Sequence, residues 1–430
     1  MKTTHIRNAS VITSRTRKGS LVQRIVENVK GRLASKPVPT VKRDPILFSI
    51  APFHTVPCLS NSHCAFSMKA MRFPAMMRKQ GWKVVEFANE GSESIADEKV
   101  TILTMAELEN MTGVKQDTAF VGDTAKIGSA HWQEFDKRLR QELGRRAQPG
   151  DFVMHHFGRS HMGLVQDFPQ LRHVEPGIGY GDESFGAFRI FESWAWLNYH
   201  MGRTLELDAT GKVAFNGNCP KVGRNPSDYE WVVPNSFDMS QWMPREEKGE
   251  YLLFIGRICD IKGMNVLRSI VDKTDYEIRL AGQGDITPWK HDRLKALGPV
   301  KGLERDILMG RAKAVLCPSR FLEPFCGVAV EAMLCGTPVI TSNHGAFVET
   351  VEHGKTGWRC NTLGDWIEAI KRVDGLDRKY ISDRARSLYN MDTAGARYSG
   401  IFRQIMDLTV QPDAPLDESG WYSKNYHLLG

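Results

Sequence analysis

The chain has 430 residues, of which 41% are hydrophobic and 25% charged, as in ordinary globular proteins. This length predicts two domains, and no apolar run approaches the ~20 residues that a membrane-spanning helix needs. The N-terminus lacks the apolar core of a secretory signal, and the eight cysteines form no C-x-x-C pair. We therefore expect a cytoplasmic protein without a disulfide framework or a zinc site.

The net charge of +7 is concentrated in residues 1–44, which hold 11 Lys and Arg but only 2 Asp and Glu. The remainder carries 46 basic and 48 acidic side chains, so the body of the protein is not basic. In this N-terminal arm, Leu21, Ile25, Val29 and Leu33 recur every four residues, which predicts an amphipathic helix. The simpler interpretation is a solvated arm or a helix packed on the body. The alternative is peripheral contact with a membrane surface or with a polyanion such as nucleic acid.

From residue 45 onward, apolar strand-like runs alternate with helical stretches. The predicted strands of the first half are ILFSIAPF, WKVVEFA, DFVMHHFG and YEWVVPNSFD, with a helix SMKAMRFPAMMRKQG that we expect Pro74 to interrupt. After the polar stretch 243–250, the alternation resumes with YLLFIGRI, KGMNVLRSIVDK, YEIRLAGQGD, AKAVLCPS and TPVITSN. Such alternation predicts an α/β protein with two parallel sheets and a boundary near 240–250.

The segment FIGRICDIKGM combines a strand end, two cations and a helix start. In an open α/β sheet the ligand site lies beyond the carboxyl ends of the strands, so Arg257 and Lys262 should project toward it. Cations at a helix start oppose the helix dipole, and a bound diphosphate would explain their presence. In AGQGD, Gly282 and Gly284 would let the backbone approach a nucleotide, although two glycines alone are a weak signal.

A second segment, CPSRFLEPFCGVAVEAMLCG, carries two glutamates around a helix start. Glu323 precedes a proline and so lies in a loop, and Gly327 begins the helix. The N–H groups of residues 325–328 then form an anion cradle at the positive end of the helix. Glu323 beside the cradle and Glu331 further along suit a ligand that also carries hydroxyl groups, as a nucleotide sugar does. A capping acid and a buried helical glutamate are the alternative.

These motifs, in the order GR-(x)4-KG, AGQG, PS-(x)3-EPFCG-(x)3-EAMLCGTPVI and HGAFVETVEHGKTGW, resemble the C-terminal half of retaining glycosyltransferases of the glycosyltransferase family 4 type, with the GT-B fold. The resemblance covers residues 230 to 370. It implies two Rossmann-like, doubly wound parallel-sheet domains that face each other across a cleft. The implied boundaries are 45–240 for the acceptor domain, 241–395 for the nucleotide-sugar domain and 396–430 for a helix and tail that return to the first domain.

The resemblance also implies roles for particular residues. Arg257 and Lys262 would bind the donor diphosphate, and Glu331 the ribose. The donor sugar and its distal phosphate would be held by Glu323 and by the backbone of the helix start, namely Phe325, Cys326, Gly327 and Val328. Gly282, Gly284 and Val300 would flank the base. Members of this family need no essential metal or other cofactor, and UDP-sugars are their usual donors.

The N-terminal half resembles the family less closely. The loop after its first strand contains no glycine, although family members often have a Gly-rich loop there. DFVMHHFGRSH resembles the family's strand that ends in a histidine facing the donor sugar; His156 fits that place, with His155 and His161 as rivals. The segment 175–196 is rich in glycine, aromatic and acidic residues. This composition predicts either that the segment packs within the protein or that Glu175, Tyr180 and Glu192 form an acceptor cleft.

The resulting hypothesis is a hexosyltransferase that retains anomeric configuration and binds a nucleotide-sugar donor. Glu323, His156, Arg257 and Lys262 are its candidate catalytic residues. The expected acceptor is a glycan or a lipid-linked saccharide. Two alternatives remain: a hydroxymethylated base in DNA as the acceptor, and a non-catalytic nucleotide-sugar-binding partner subunit.

Overall fold

The computed structural model describes residues 43–61, 64–115, 122–181, 184–203, 215–216, 219–220 and 229–409. The basic arm and its predicted amphipathic helix lie outside these residues. None of the helices in the described ranges is both long and apolar enough to cross a bilayer.

Two sheets organise the described chain. The strands are β1 Ile46–Ile50, β2 Lys83–Ala88, β3 Glu98–Thr101, β4 Phe152–His155, β5 Arg172–Ile178, β6 Phe188–Phe191, β7 Phe215–Asn216, β8 Cys219–Pro220, β9 Tyr229–Val232, β10 Leu252–Ile255, β11 Ile278–Ala281, β12 Leu294–Gly298, β13 Ala314–Cys317, β14 Val339–Ser342 and β15 Gly357–Cys360. The first sheet has the order β3-β2-β1-β4-β5-β6-β9 and the second β12-β11-β10-β13-β14-β15, and β7 and β8 form a separate hairpin. The pairs within the two large sheets are parallel, as the alternating pattern predicted.

Helices connect and cover these strands. They are α1 Ala65–Lys79, α2 Met105–Thr112, α3 Ala130–Arg146, α4 Leu164–Asp167, α5 Trp194–Arg203, α6 Met264–Lys273, α7 Gly302–Arg311, α8 Gly327–Leu334, α9 Phe347–Thr350, α10 Leu363–Arg372, α11 Arg378–Tyr389 and α12 Met391–Thr409. The expected interruption at Pro74 does not occur, because α1 runs through it with the proline buried in the core. Packing of the apolar face of α1 outweighs the lost backbone bond.

The central strands of each sheet are buried on both faces, which explains why β1, β4, β10 and β13 are largely apolar runs. In β1, Leu47 and Phe48 point to different hydrophobic clusters, and in β13 Val315 and Leu316 do the same. Successive side chains alternate across a sheet, so each strand contributes to two cores. We call the first sheet with its helices the N-terminal half and the second the C-terminal half.

Two chain crossings join the halves side by side. The Phe237 N–H donates to the Tyr389 carbonyl at 2.8 Å, which pairs the outgoing segment with the returning one. The final helix α12 then packs into the core of the N-terminal half, where Phe402 is fully buried, and its Ser399 hydroxyl accepts a bond of 2.9 Å from Trp82. The C-terminal helix therefore belongs structurally to the first sheet.

Candidate active site between the two halves

The loops that follow β10, β11 and β13 contain the donor residues predicted from the sequence. Gly256 follows β10, Gly282 follows β11 and Pro318 follows β13, so the loops share the carboxyl edge of one parallel sheet. That edge is where open α/β sheets bind their ligands.

Close backbone packing fixes the first of these loops. A Cβ on Gly282 would stand 1.9 Å from the carbonyl oxygen of Gly256, and one on Gly284 would stand 2.3 Å from that of Ile258. The Ile258 N–H also donates to the Gln283 carbonyl at 2.7 Å. Only glycine permits this approach, so the two glycines hold together the loops after β10 and β11.

Arg257 and Val300 occupy the borders of this region. The Arg257 side chain is exposed, and its guanidinium forms no hydrogen bond or ion pair with any residue that the structure describes. It is therefore available to an anionic ligand. Val300 lies two residues beyond the end of β12 and is buried.

Lys262 and Glu323, which are 61 residues apart in the chain, form an ion pair. Lys262 Nζ lies 2.7 Å from Glu323 Oε1 and 4.5 Å from the centre of the Phe321 ring. The Ser319 hydroxyl donates to the same carboxylate oxygen at 2.5 Å. Within the described residues, Glu323 Oε2 receives no hydrogen bond, so one oxygen of this nearly buried carboxylate remains open to a ligand hydroxyl.

The start of α8 provides backbone donors beside this pair. Cys326 is its N-cap residue; its side chain forms no capping bond, and its φ of 65° is the only positive value at a non-glycine residue in the described chain. A helix start leaves its first N–H groups without intrahelical partners, and here Gly327 and Val328 carry two of them. The Cys317 thiol bonds to that of Cys326, which together with burial raises the pKa of Cys326 well above its usual range. The thiol is therefore neutral and does not repel an anion.

Glu331, one turn into α8, forms an ion pair that the sequence did not predict. Arg305 on α7 donates from Nε to Glu331 Oε2 at 3.1 Å, and its NH2 group bonds to the same oxygen. Within the described residues, Glu331 Oε1 accepts no hydrogen bond. The carboxylate is thus held in place through one oxygen, and its other oxygen can accept a hydrogen bond from a ligand hydroxyl.

A second arginine, on the N-terminal half, is near enough to this glutamate to interact with it electrostatically. Arg72 on α1 donates to the Ser236 carbonyl at 2.9 Å, and its guanidinium lies 5.1 Å from the centre of the Phe237 ring. Burial lowers the pKa of Arg72, an effect that the nearby carboxylates of Glu331 and Asp238 oppose. Arg72 therefore brings a desolvated positive charge from one half to the glutamate of the other.

His156, the candidate catalytic histidine, is buried at the end of β4. Its Nε2 lies 3.0 Å from the Ser49 hydroxyl, and its ring packs edge-on against Phe73. Burial and the nearby charge of Lys69 lower the pKa of His156 to about 3. It lines a cavity of about 30 Å³ with Lys69 and Arg72 of α1 and with residues 234–236 of the segment that leads to the C-terminal half, and it is neutral there.

The rival histidines lie in other surroundings. His155 Nε2 is 3.0 Å from His173 Nδ1, deep in the core. His161 Nδ1 is 2.8 Å from Asp136, and its ring stacks on Phe135. Burial lowers the pKa of both His155 and His161. Neither lines the small cavity with His156.

The predicted acceptor-cleft residues have internal partners. Glu175 is fully buried and accepts bonds from the Tyr180 hydroxyl at 2.5 Å and from the Phe185 and Gly186 N–H groups, while burial raises its pKa. Glu175 thus organises the loop after β5. Glu192 forms a short ion pair with Lys69, which also donates to the Gly177 carbonyl at 2.6 Å.

Sequence reasoning missed Lys69, Arg72 and Arg305. Lys69 and Arg72 are three residues apart on the helix after the first strand, so they share one face, and this spacing was an available signal. Arg305 offered no such signal. Glu349 also has a role across the halves, since its carboxylate accepts from the N–H groups of Trp194 at 3.1 Å and Ala195 at 2.9 Å and so caps α5.

The arrangement of strands, loops and chain crossings matches known structures. The protein aligns with sucrose-phosphate synthase from Thermosynechococcus elongatus over 85% of its own length and all of that chain, with a TM-score of 0.59 and 17% identity. It also aligns with Anabaena HepE in complex with UDP and glucose over 84% of its own length and all of that chain, with a TM-score of 0.57 and 15% identity. The fold is GT-B. At these identities the likeness concerns the GT-B fold alone.

Sequence comparisons point to the C-terminal half. Residues 238–387 match the family profile of Glycosyl transferases group 1. An uncharacterized glycosyltransferase of Methanocaldococcus jannaschii is 31% identical over 222 residues, which are 46% of this chain and 55% of that protein. A glycogen synthase of Mycobacterium tuberculosis is 33% identical over 148 residues, 30% of this chain and 35% of the synthase. The chain thus spans about half of the first relative and a third of the second.

Proposed function

We propose that this GT-B protein is a retaining glycosyltransferase that moves a hexose from a nucleotide-sugar donor, in the first instance a UDP-sugar, to an acceptor hydroxyl. One observation carries the proposal: Lys262, Glu323 and the uncapped start of α8 converge at one edge of the second sheet. A diphosphate needs cations and backbone donors, and a sugar needs carboxylates, and this edge combines both. The structural neighbour crystallised with UDP and glucose has the same fold.

The chemistry that these residues support is stabilisation of the leaving group. As the bond between the anomeric carbon and the phosphate breaks, negative charge develops on the nucleoside diphosphate. Lys262, Arg257 and the positive end of α8 would stabilise that charge in advance of the reaction.

Retention follows in this proposal from attack on the same face that the diphosphate leaves. The carboxylate of Glu323 already binds Lys262 and Ser319, which suits a group that positions the sugar rather than a nucleophile. The departing phosphate would accept the proton of the acceptor hydroxyl. His156 would contribute as a neutral hydrogen-bonding group, since its lowered pKa keeps it uncharged near pH 7.

We further propose that the reaction needs no metal ion. Within the described residues, no group of three or more His, Cys, Asp or Glu side chains is placed to hold one. The cations that would replace a metal at the diphosphate are Lys262 and Arg257. Turnover that persists in excess EDTA supports this part of the proposal, and loss of turnover that Mg²⁺ restores contradicts it.

The decisive experiment measures nucleoside diphosphate release from a panel of UDP-, GDP- and ADP-sugars, with UDP affinity measured in parallel by calorimetry. We expect one donor class to release its diphosphate, and Glu323→Gln to abolish release while UDP still binds. If UDP binds but no nucleoside diphosphate is released with any acceptor, the protein would instead be a non-catalytic binding subunit. Failure to bind any nucleotide would overturn the proposal.

A further inference from the structure

The Glu349 carboxylate, which belongs to α9 of the C-terminal half, has its hydrogen-bonding partners in the N-terminal half. Its Oε2 accepts from the Trp194 N–H at 3.1 Å, and its Oε1 accepts from the Ala195 N–H at 2.9 Å. These N–H groups open α5, where a helix has no carbonyl of its own to offer them. The carboxylate satisfies both donors and faces the positive end of the helix dipole, so this contact is a charge-assisted cap across the halves.

The segment that carries Glu349 also fixes the backbone of Glu323. The Ala346 N–H donates to the Glu323 carbonyl at 3.0 Å. A Cβ on Gly345, whose φ is 62°, would stand 2.9 Å from the Glu323 nitrogen, so the two backbones are in direct contact. We call residues 318–326, between β13 and α8, the Glu323 loop. A shift of α9 would therefore also displace this loop.

A second contact joins the Glu323 loop to α5 directly. Leu322 packs against a hydrophobic cluster of the N-terminal half and, among the described residues, is the only member of that cluster from the C-terminal half. The buried members of the cluster are Ile178, Phe191, Trp196 and Leu197, of which the last two lie on α5. The helix α5 thus holds the loop both through Leu322 and, by way of α9, through Glu349.

Within its own half, α5 is anchored at its start. The Ser193 hydroxyl accepts from the Trp196 N–H at 3.0 Å. Glu192, two residues before the helix, forms its ion pair with Lys69 on α1. The position of α5 therefore follows that of the N-terminal half, and the two contacts relay that position to the Glu323 loop.

Alignment of this kind affects the rate of a reaction more than the binding of the nucleotide. A displacement of about 1 Å at a group that positions a substrate can cost about a hundredfold in rate. The residues proposed to bind the nucleotide, by contrast, are Arg257, Lys262 and Glu331, which all belong to the C-terminal half. Their hold on the nucleotide does not depend on the contact with α5.

We propose that Glu349 is a positioning residue of the transfer reaction. By capping α5, it holds the Glu323 loop against the N-terminal half, so that Glu323 orients the donor sugar toward an acceptor bound on that half. The inference rests on the proposed function, because Glu323 has a sugar to orient only if a nucleotide sugar binds. Glu349 acts through α5 and the Glu323 loop and need not touch the sugar itself.

Substitutions of Glu349 in the whole chain test this role, with the donor and acceptor identified in the release assay. We expect Glu349→Ala to lower kcat about 10- to 100-fold, while the affinity for UDP changes less than about twofold. Glu349→Gln keeps an oxygen that can accept from α5 but loses the charge, so it should restore part of the rate. A residue needed only for folding would not separate kcat from UDP affinity in this way.

Glu352→Ala is the matched control. This glutamate follows Glu349 on the same segment, but its carboxylate accepts from the Tyr380 hydroxyl at 2.7 Å within the C-terminal half. We expect its kcat to stay within about twofold of that of the unsubstituted protein. Hydrogen exchange at β1 and β10 checks that both halves of each variant remain folded.

Leu322→Ala tests the same arrangement independently, since it removes the apolar contact and leaves Glu349 in place. We expect the same signature, a fall in kcat of about tenfold with nearly constant UDP affinity. Because the two substitutions change different side chains, a folding defect in one does not remove the test made by the other.

The outcomes separate this inference from the proposed function. If the protein transfers a sugar but Glu349→Ala and Leu322→Ala behave like the control, the inference is overturned and the glycosyltransferase assignment stands. The same holds if both variants lose UDP affinity as strongly as kcat. If no nucleotide binds, or if UDP binds but no acceptor leads to release, the proposed function fails and this inference fails with it.

Discussion

At the scale of a single residue, a substitution of Lys262 tests the proposed donor site. Replacement by methionine keeps the aliphatic stem but removes the charge that faces Glu323 and the proposed diphosphate. We expect kcat for diphosphate release to fall about 100- to 1,000-fold, as when one stabilising donor is removed from a developing anion. The unfolding free energy should fall by only about 1–3 kcal/mol, because the Ser319 hydroxyl still donates a hydrogen bond to the Glu323 carboxylate that Lys262 leaves.

Release kinetics and chemical denaturation of the same preparation check this prediction. Arg320→Met is the control, since Arg320 is an exposed cation on the neighbouring loop that pairs with Asp260. If activity and stability fall in parallel, Lys262 supports folding and its proposed role at the diphosphate is wrong.

Glu331 offers a second residue-scale prediction, concerned with binding of the nucleoside. Its Oε2 is held by Arg305, while Oε1 is open to a hydroxyl. We expect Glu331→Gln to weaken UDP binding about tenfold and to leave the affinity for 2′,3′-dideoxy-UDP unchanged, because that analogue has no ribose hydroxyls to lose. Calorimetry with both ligands measures the difference. Equal weakening of both ligands would show that the substitution acts through Arg305 and Arg72 instead.

Residues whose position is set by nearby sequence could be predicted, whereas residues placed by tertiary packing could not. Lys262, Glu323 and Gly327 stand beside strand ends and helix starts, so their direction is fixed by local geometry and the motif order reveals them. Arg305, the ion-pair partner of Glu331, comes from another helix, and Arg72, whose charge lies near Glu331, comes from the other half. No sequence spacing encodes such a meeting, because tertiary packing decides it.

At the scale of elements, the start of α8 combines a predicted feature with an unpredicted one. The helix was expected to begin at Gly327 and does so, but the left-handed backbone of Cys326 was not foreseen. In that conformation the Cβ lies too close to the backbone, which costs about 1–2 kcal/mol for a residue other than glycine. The chain therefore stores strain beside the proposed phosphate cradle.

A pair of substitutions measures this strain. Cys326→Ala removes the thiol and keeps the Cβ, whereas Cys326→Gly removes both. We expect the glycine variant to be more stable than the alanine variant by about 0.5–1.5 kcal/mol, since the relief of strain exceeds the added freedom of the unfolded chain. Denaturant unfolding provides the comparison. A glycine variant equal to or less stable than the alanine variant would mean that the backbone at this position is not strained.

The helix α1 shows where local rules fail for elements. The proline rule predicted a break at Pro74, but α1 packs against β1, β2 and α12 and buries Phe73, Met76 and Met77. Long-range apolar contacts of this kind override a local penalty of about 3 kcal/mol. The continuity of α1 keeps Lys69 and Arg72 on one face of a single helix.

At the scale of the whole molecule, the two halves differ in how deeply their histidines are buried. Seven histidines of the N-terminal half have a pKa lowered chiefly by burial: His54, His131, His155, His156, His161, His173 and His200. The three histidines of the described C-terminal half are all at least partly exposed, namely His291, His344 and His353. Two buried acids, Glu86 and Glu175, have a pKa raised by burial. As the pH falls, their effect on the unfolding free energy is opposite in sign to that of the histidines.

This asymmetry predicts that acid weakens the N-terminal half first. The unfolded chain binds a proton at each histidine below pH 6.5, while folded His54 and His156 resist protonation down to about pH 4 and 3. The unfolding free energy therefore falls as the pH drops through this window, by roughly 2–3 kcal/mol for each of these two residues at pH 4.5. Against a typical total of about 5–15 kcal/mol, several such residues are decisive.

Hydrogen exchange at pH 6.5, 5.5 and 4.5 tests the order of this loss. We expect the amides of β1, β4 and β5 to lose protection at a higher pH than those of β10 and β13. Removing one buried histidine should make the N-terminal half keep its protection to a lower pH, so we expect His156→Asn to lower the pH of its acid midpoint. His353→Gln, a control in the C-terminal half, should leave that midpoint unchanged. Because α12 is part of the first core, its protection should follow β1 rather than the α11 helix that precedes it. Simultaneous loss in both sheets would mean that the paired crossing at Phe237 and Tyr389 couples the halves into one cooperative unit.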